Sequence, residues 1–234
     1  AVLNDLDEYA IEAALQAAGS TGGHVTAITM GPDTASDTVR KALAMGADAG
    51  IHLCDDQLAG ADLLATATAL AAIINQHHYD LIYCGDESTD ARTGALGAMI
   101  AELAGVNAIL AARDINTSGD GVTATIDLPH ATCEVRSAGR CLVSVAEKAN
   151  EPRYPSFKGI MAAKKKPLDT ITLADLNLDT TAISNATRID SSEKTPPREK
   201  GTIITDTGDA GAQLANWLLN EARLTPVTTP AGDR

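Results

Sequence analysis

A short polar turn, Gly85–Arg92, carries the side chains best suited to bind a ligand. It follows an apolar segment, Leu81–Cys84, that is typical of a buried strand. After the turn, Leu96 and Ile100 recur at helical spacing in a helix that starts at about Thr93. Open α/β sheets present nucleotides at such strand–turn–helix junctions, because the first helical turn offers unpaired N–H groups and a partial positive charge to a phosphate. The turn is therefore a candidate nucleotide-binding loop.

The same junction also fits an ordinary connection that binds nothing. The chain contains neither the G-x-G-x-x-G nor the G-x-x-x-x-G-K-[ST] phosphate fingerprint. No Ser/His/Asp or Cys/His arrangement has a meaningful spacing, and an unpaired cysteine at a strand end, such as Cys84, is usually a packing residue. The five histidines have no metal-ligand spacing with Cys or Glu, so we predict neither a catalytic group nor a metal site.

The composition narrows the class of protein. The chain has 234 residues, of which 44% are hydrophobic, and a net charge of −13, which suits one good core and disfavours nucleic acids or anionic membranes as partners. No apolar run approaches the roughly 20 residues that a membrane span needs, and no signal peptide is visible. The four cysteines show no C-x-x-C spacing. These features predict a cytoplasmic protein without membrane insertion and without a disulfide framework.

Residues 1–110 alternate between helical and strand patterns. The predicted elements are a helix capped by Asn4, Asp5 or Asp7 and ended by Gly19, a strand His24–Met30, a helix opened by a Thr34–Asp37 capping box, a strand Gly50–Cys54, a helix capped by Asp62, the strand Leu81–Cys84, a helix ending near Gly105, and the run Val106–Leu110. Such alternation implies parallel strands with right-handed crossovers. Since doubly wound domains normally start with a strand, we expect a leading strand before Ala1 in the complete protein.

The pattern changes after residue 110. Gly121–Leu128, Thr132–Ala138 and Arg140–Val145 are strand-like runs with no helix between them, which predicts an antiparallel meander. A polar loop over 150–167, a linker over 177–200 and a last helix, about Asp209 to Ala222, complete the chain. The predicted fold is α/β, an open and mostly parallel sheet with helices on both faces and a small antiparallel addition. We expect a domain over 1–176 and an arm with a helix over 177–234.

Four segments resemble the beta subunit of electron transfer flavoproteins, in that family's order and spacing. They are Val2–Leu15, Thr29–Asp48, Leu81–Gly97 with the motif LIYCGDESTDARTGALG, and Asn150–Pro167 with the motif NEPRYPSFKGIMAAKKKP. The last motif is the most specific. The likeness covers residues 2 to about 176 closely, whereas the arm matches only in having an Ala-rich final helix. It implies an adenine nucleotide alpha hydrolase-like fold.

The resemblance also implies partners and cofactors. Members form a heterodimer with an alpha subunit that holds most of the FAD, and they carry electrons from acyl-CoA dehydrogenase-type donors, as in fatty acid beta-oxidation. Most beta subunits also bury a structural AMP. Carried over by position, the cofactor-binding residues are Asn4, Asp5, Leu6, Asp7, Met30, Gly85, Asp86, Glu87, Ser88, Thr89, Asp90, Ala91, Arg92 and Thr93. Leu6 occupies the position that approaches the flavin, and Phe157 the position that docks the electron donor.

Several alternatives stay open. The chain departs from residues that are common in the family at Glu87, Arg92 and Ala95, so the ligand is AMP, a second FAD as in electron-bifurcating relatives, or none. A universal-stress-like nucleotide-binding module would share the architecture, but it should carry its own Gly-rich phosphate loop. An enzyme of the ATP-pyrophosphatase type would need an SGGxDS-like loop after the leading strand.

The segment over 150–167 contains the only Phe of the chain and a basic run. Phe157 is either an exposed docking anchor or a satellite core residue. The basic run Lys164–Lys166 is expected to be solvated.

Overall fold

The computed structural model describes residues 2–176, 178, 183, 185–198, 201, 203 and 205–220. Its helices are α1 (Asp5–Thr21), α2 (Ser36–Met45), α3 (Leu63–His77), α4 (Leu96–Ala104), α5 (Phe157–Ala163) and α6 (Ala210–Asn220). Its strands are β1 (Thr26–Met30), β2 (Ala49–Leu53), β3 (Leu81–Gly85), β4 (Asn107–Ser118), β5 (Gly121–Leu128), β6 (Ala131–Ser137), β7 (Cys141–Val145) and β8 (Leu168–Ile171). The chain forms two compact units, residues 1–188 and 189–234, and α6 belongs to the second.

The strands of the first unit form two sheets. One is parallel, in the order β1-β2-β8, and the other has the order β3-β7-β4-β5-β6. In the second sheet β3, β7 and β4 are parallel, and β4, β5 and β6 form an antiparallel meander. The predicted fold class, α/β with a mostly parallel sheet and an antiparallel addition, is confirmed.

The expected place of Arg140–Val145 in the meander is wrong. The strand found there, β7, lies between β3 and β4 and runs parallel to both, and all five of its residues are buried. A short apolar run buried on both faces is what a central parallel strand requires.

Alternate residues of β7 contact helices on opposite faces of the sheet. Val143 belongs to a cluster with Ala10 and Ala13 of α1, whereas Leu142 belongs to a cluster with Ile100 of α4. Small alanines let α1 approach the sheet closely. This packing brings the amino end of α1 to the carboxyl end of β3, where the candidate loop begins.

Helix ends differ in part from the sequence-based expectations. Asp62 caps α3 as predicted, with its Oδ1 accepting from the Ala65 N–H at 2.9 Å. The Thr34–Asp37 capping box is wrong, because Thr34 lies in a short 3-10 helix and the N-cap of α2 is Ala35, which makes no side-chain cap. Helix α4 begins at Leu96 rather than at Thr93.

The segment over 150–167 is not all loop. Ser156 caps a short helix, α5, by accepting from the Gly159 N–H at 3.0 Å. A strand, β8, follows it and joins β2.

Two expectations concern the last helix and membrane spans. The last two residues of the helix predicted over 209–222 lie outside them. Among the helices that the structure describes, none is long and apolar enough to cross a bilayer.

Candidate functional site

The junction between α1 and the end of β3 is packed backbone against backbone. A Cβ at Gly85 would lie 2.9 Å from both the Cβ and the carbonyl carbon of Leu6, and 3.0 Å from the Asp7 nitrogen. The Gly85 N–H donates to the Asp7 Oδ1 at 2.7 Å. The loop therefore starts from a point that α1 fixes through one carboxylate and through close contact, and only glycine fits there without a shift.

Asn4 holds the next part of the loop. Its Oδ1 accepts from the Thr89 N–H at 3.0 Å, and its Nδ2 donates to the Glu87 carbonyl at 3.0 Å and to the Asp7 Oδ2 at 3.1 Å. Asn4 occupies the N-cap position of α1 but makes no side-chain cap there, because both ends of its amide are bonded in this way. The resemblance places Asn4 and Asp7 among the cofactor-binding residues, and the structure shows that both brace the loop.

A buried hydroxyl connects the loop to the central sheet. Ser144 of β7 is buried, and its Oγ accepts from the Ala111 N–H and donates to the Asp86 Oδ1, both at 2.8 Å. Ala111 lies where β4 shifts register against β7, with a left-handed φ of 53°. The Asp86 N–H donates to the Val145 carbonyl at 3.2 Å. Sequence reasoning missed Ser144, since its distance of 58 residues from Asp86 gives no local pattern.

The tip of the loop is exposed and carries its own hydrogen bonds. The Ala91 N–H donates to the Asp90 Oδ1 at 2.6 Å, and the Arg92 N–H donates to the Ser88 carbonyl at 3.2 Å. The Ser88 hydroxyl and the Ala91 N–H lower the pKa of Asp90. Asp90 therefore braces the tip.

Two charged residues of the loop, Glu87 and Arg92, lie close together. Glu87 Oε1 and Arg92 Nε are 3.7 Å apart, an exposed ion pair of small energy.

Beyond the tip, α4 begins with donors available. The first-turn N–H groups of an α-helix have no partner within the helix, and here the N-cap, Ala95, makes no side-chain hydrogen bond to them. Ser88, Thr89 and Thr93 supply hydroxyls between the braced start of the loop and this helix end. Backbone N–H groups and hydroxyls in this arrangement suit a phosphate or a ribose.

The remaining predicted site residues, Leu6, Asp5 and Met30, lie outside the loop. The backbone of Leu6 touches the Gly85 position, and its side chain is half-buried. Asp5 is exposed at the start of α1. Met30 ends β1, in the other sheet, and packs against a cluster around Ile51 and Leu53.

Cys84 does not act as a nucleophile in this setting. Burial, with Asp7 and Asp86 nearby, raises the pKa of the Cys84 thiol to about 12. A Cβ at Gly97 of α4 would lie 3.1 Å from its sulfur. The sulfur is thus packed under the helix, in agreement with its interpretation as a packing residue. Within the described part of the chain, no cluster of His, Cys, Asp or Glu is arranged to hold a metal ion.

A second surface surrounds α5. Phe157, the first residue of α5, is 82% exposed, and Tyr154 just before it is 95% exposed. Ile160 and Met161 of the same helix are also exposed. Phe157 is therefore not a satellite core residue of this chain, and together these side chains form an apolar patch.

Helix α5 is fixed firmly to α2. Arg40 of α2 donates to the carbonyls of Ala163 at 2.8 Å and of Lys166 at 3.0 Å. In return, Lys166 Nζ donates to three carbonyls at the carboxyl end of α2, those of Leu43, Gly46 and Ala47. The expectation that the whole basic run is solvated is thus wrong for Lys166, although Lys164 and Lys165 are exposed.

The chain is similar to known proteins over most of its length. Residues 1–176 match the model of the electron transfer flavoprotein domain. The chain is 39% identical over 228 residues to the electron transfer flavoprotein subunit beta of Mycobacterium leprae, which covers 94% of this chain and 86% of that one. It is 31% identical over 225 residues to the subunit beta of Bacillus subtilis, with 95% and 88% covered. It is 32% identical over 222 residues to that of Megasphaera elsdenii, with 91% and 82% covered.

Proposed function

Since the chain belongs to the family of electron transfer flavoprotein beta subunits, we propose that it works with an alpha subunit as an electron carrier. It takes electrons from an acyl-CoA dehydrogenase-type donor and passes them to an acceptor by way of FAD. The observation that carries the proposal is the braced loop over 85–93, which offers donors for a nucleotide. The universal-stress-like and ATP-pyrophosphatase alternatives are set aside by family membership.

The FAD is shared with the alpha subunit and supplies the electron-carrying chemistry. This chain contributes the amino end of α1, where Leu6 lies against the start of the loop. The loop itself, with Ser88, Thr89, Thr93 and the first turn of α4, holds an adenine nucleotide by hydrogen bonds. We assign that nucleotide as AMP, and a second FAD is the alternative.

We propose that the second unit, residues 189–234, binds the alpha subunit. Helix α6 carries Leu214 and Trp217, three positions apart on one side and both exposed. An amphipathic helix with an exposed apolar side needs a surface to cover it. Deleting residues 202–234 should therefore weaken assembly with the alpha subunit and lower the retention of flavin. Assembly of the truncated chain at undiminished affinity would give the arm another role.

Phe157 is the proposed docking anchor for the donor. Because its side chain is 82% exposed, replacing it with Ala should change stability by no more than about 0.5 kcal/mol. A single aromatic anchor can dominate a small, transient interface. The apolar patch around α5 supplies its immediate surroundings.

The test compares Phe157→Ala with wild type in the assembled heterodimer. Flavin reduction is followed by stopped flow at increasing concentrations of an acyl-CoA dehydrogenase. We expect an unchanged flavin spectrum and melting temperature with slower electron transfer. Leu128→Ala is the matched control, since Leu128 is an exposed apolar residue on β5, outside the patch around α5. A lower melting temperature with transfer intact would contradict the docking role.

A further inference from the structure

The segment that leads into α5 is held by side chains. Within the part of the chain that the structure describes, residues 150–155 make no backbone–backbone hydrogen bond. Asn150 Nδ2 donates instead to the Tyr9 carbonyl of α1 at 2.9 Å. Arg153 reaches the same helix one turn further along, at Glu12. The course of the segment therefore depends on two contacts with α1.

The contact between Glu12 and Arg153 is the stronger of the two. Glu12 is only 4% exposed, and its carboxylate accepts from Arg153 Nε at 2.7 Å, Nη2 at 2.9 Å and the backbone N–H at 3.2 Å. Gln16 Nε2 donates to the same carboxylate at 3.0 Å. A two-pronged arginine–carboxylate contact fixes orientation as well as distance, and a buried carboxylate that loses its partner is strongly disfavoured.

Helix α1 thus holds two surfaces at once. Its amino end braces the candidate loop through Asn4 and Asp7, and its next turns hold the segment before Phe157 through Tyr9 and Glu12. With a rise of about 1.5 Å per residue, Asp7 and Glu12 lie roughly 7.5 Å apart along a rigid axis. The other end of α5 is fixed to α2 by Arg40 and Lys166.

We propose that Glu12 and Arg153 are positioning residues for donor docking. Their ion pair, here called the α1 clamp, sets the place of Tyr154 and Phe157 relative to the braced loop, and so relative to the bound cofactor. The inference rests on the proposed function. It assigns a docking role to two residues that act through the position of the segment between them and Phe157.

The test measures donor docking in the assembled heterodimer. Glu12→Gln keeps the shape of the side chain but removes its charge, and Arg153→Lys keeps a charge but removes the two-pronged contact. Both should raise the donor concentration for half-maximal flavin reduction, by about tenfold or more for Glu12→Gln. Flavin content and reduction of the flavin by dithionite should stay unchanged, which a general loss of structure would not allow.

The matched control is Glu8→Gln. Glu8 is on the same helix, one turn before Glu12, and pairs with Lys41 at the surface. Its neutralisation should leave donor docking at the wild-type value. Hydrogen exchange of the Arg153 amide, whose N–H donates to Glu12, should become faster in Glu12→Gln and stay unchanged in Glu8→Gln, since only the former releases the segment.

The outcomes separate the inference from the function on which it rests. Weak docking in Phe157→Ala together with normal docking in Glu12→Gln would overturn the α1 clamp alone. Normal docking in both variants would remove the docking role of Phe157 and the clamp with it. If Glu12→Gln does not assemble, Arg153→Lys decides by the same criteria, and normal half-saturation in that variant overturns the proposal.

Discussion

Replacing Gly85 with Ala should push α1 away from the end of β3 and weaken the contacts that hold the candidate loop. The new Cβ would meet the Leu6 carbonyl carbon and Cβ at 2.9 Å and the Asp7 nitrogen at 3.0 Å. Carbon atoms in contact prefer about 3.5–4.0 Å, so α1 and β3 must separate by several tenths of an ångström. The contacts at risk are the Asp7–Gly85 hydrogen bond and the two loop bonds of Asn4.

The expected magnitude follows from this overlap. Overpacking of this kind costs about 1–3 kcal/mol, and each kcal/mol lowers the melting temperature of a chain of this size by about 2–4 °C. The melting temperature of the assembled protein should therefore fall by roughly 2–12 °C, with a loss of bound nucleotide. The assay is thermal unfolding followed by flavin fluorescence, with nucleotide content measured on the same samples.

Gly19→Ala is the matched control for this prediction. Gly19 lies in α1, and a Cβ there would have nothing within 4 Å. Alanine should stabilise the helix by about 0.5–1 kcal/mol. Wild-type stability and nucleotide content in Gly85→Ala would refute the close contact between α1 and β3.

Three further predictions concern single side chains. Lys166→Met should destabilise the protein by about 1.5–3 kcal/mol, because hydrogen bonds from a charged group to three carbonyls are lost, whereas the exposed neighbour Lys165→Met should have almost no effect in the same chemical denaturation. Cys84, with a pKa of about 12, should resist a thiol reagent at pH 8, where roughly one molecule in 10,000 carries the thiolate; rapid labelling of the native protein, measured by mass spectrometry, would contradict its burial. Burial alone would raise the pKa of Glu12, but hydrogen bonds from Arg153 and Gln16 lower this pKa below the ordinary 4.5. The Glu12 carboxylate therefore stabilises the folded protein above pH 4.5, and this stabilisation is lost as the pH falls through the lowered pKa. The melting temperatures of wild type and Glu12→Gln should thus differ at pH 7 and converge below pH 4.5, and a difference that grows on acidification would be inconsistent with this.

Local patterns predicted the elements around the loop because their residues are near neighbours in sequence. The apolar run Leu81–Cys84 forms most of β3, and the Asp62 cap of α3 depends on a residue only three positions away. Such spacings reflect strand and helix geometry directly. The same local spacings predict the candidate loop.

Contacts between distant segments could not be predicted in this way. The place of β7 between β3 and β4 depends on which strands are buried on both faces, and that is set by the packing of the whole core. Lys166 resembles its solvated neighbours in sequence, yet it reaches carbonyls some 120 residues away. The roles of Asn4 and Ser144 as braces likewise depend on partners 85 and 58 residues distant.

One measurement tests the central claim that the loop over 85–93 holds an adenine nucleotide. The protein is purified as the heterodimer with its alpha subunit and denatured, and the released small molecules are quantified by chromatography and mass spectrometry. We expect one FAD and one further adenine nucleotide per heterodimer. AMP as the second molecule identifies an ordinary electron carrier, and a second FAD identifies an electron-bifurcating protein. Release of a single FAD and nothing else would contradict nucleotide binding by the loop.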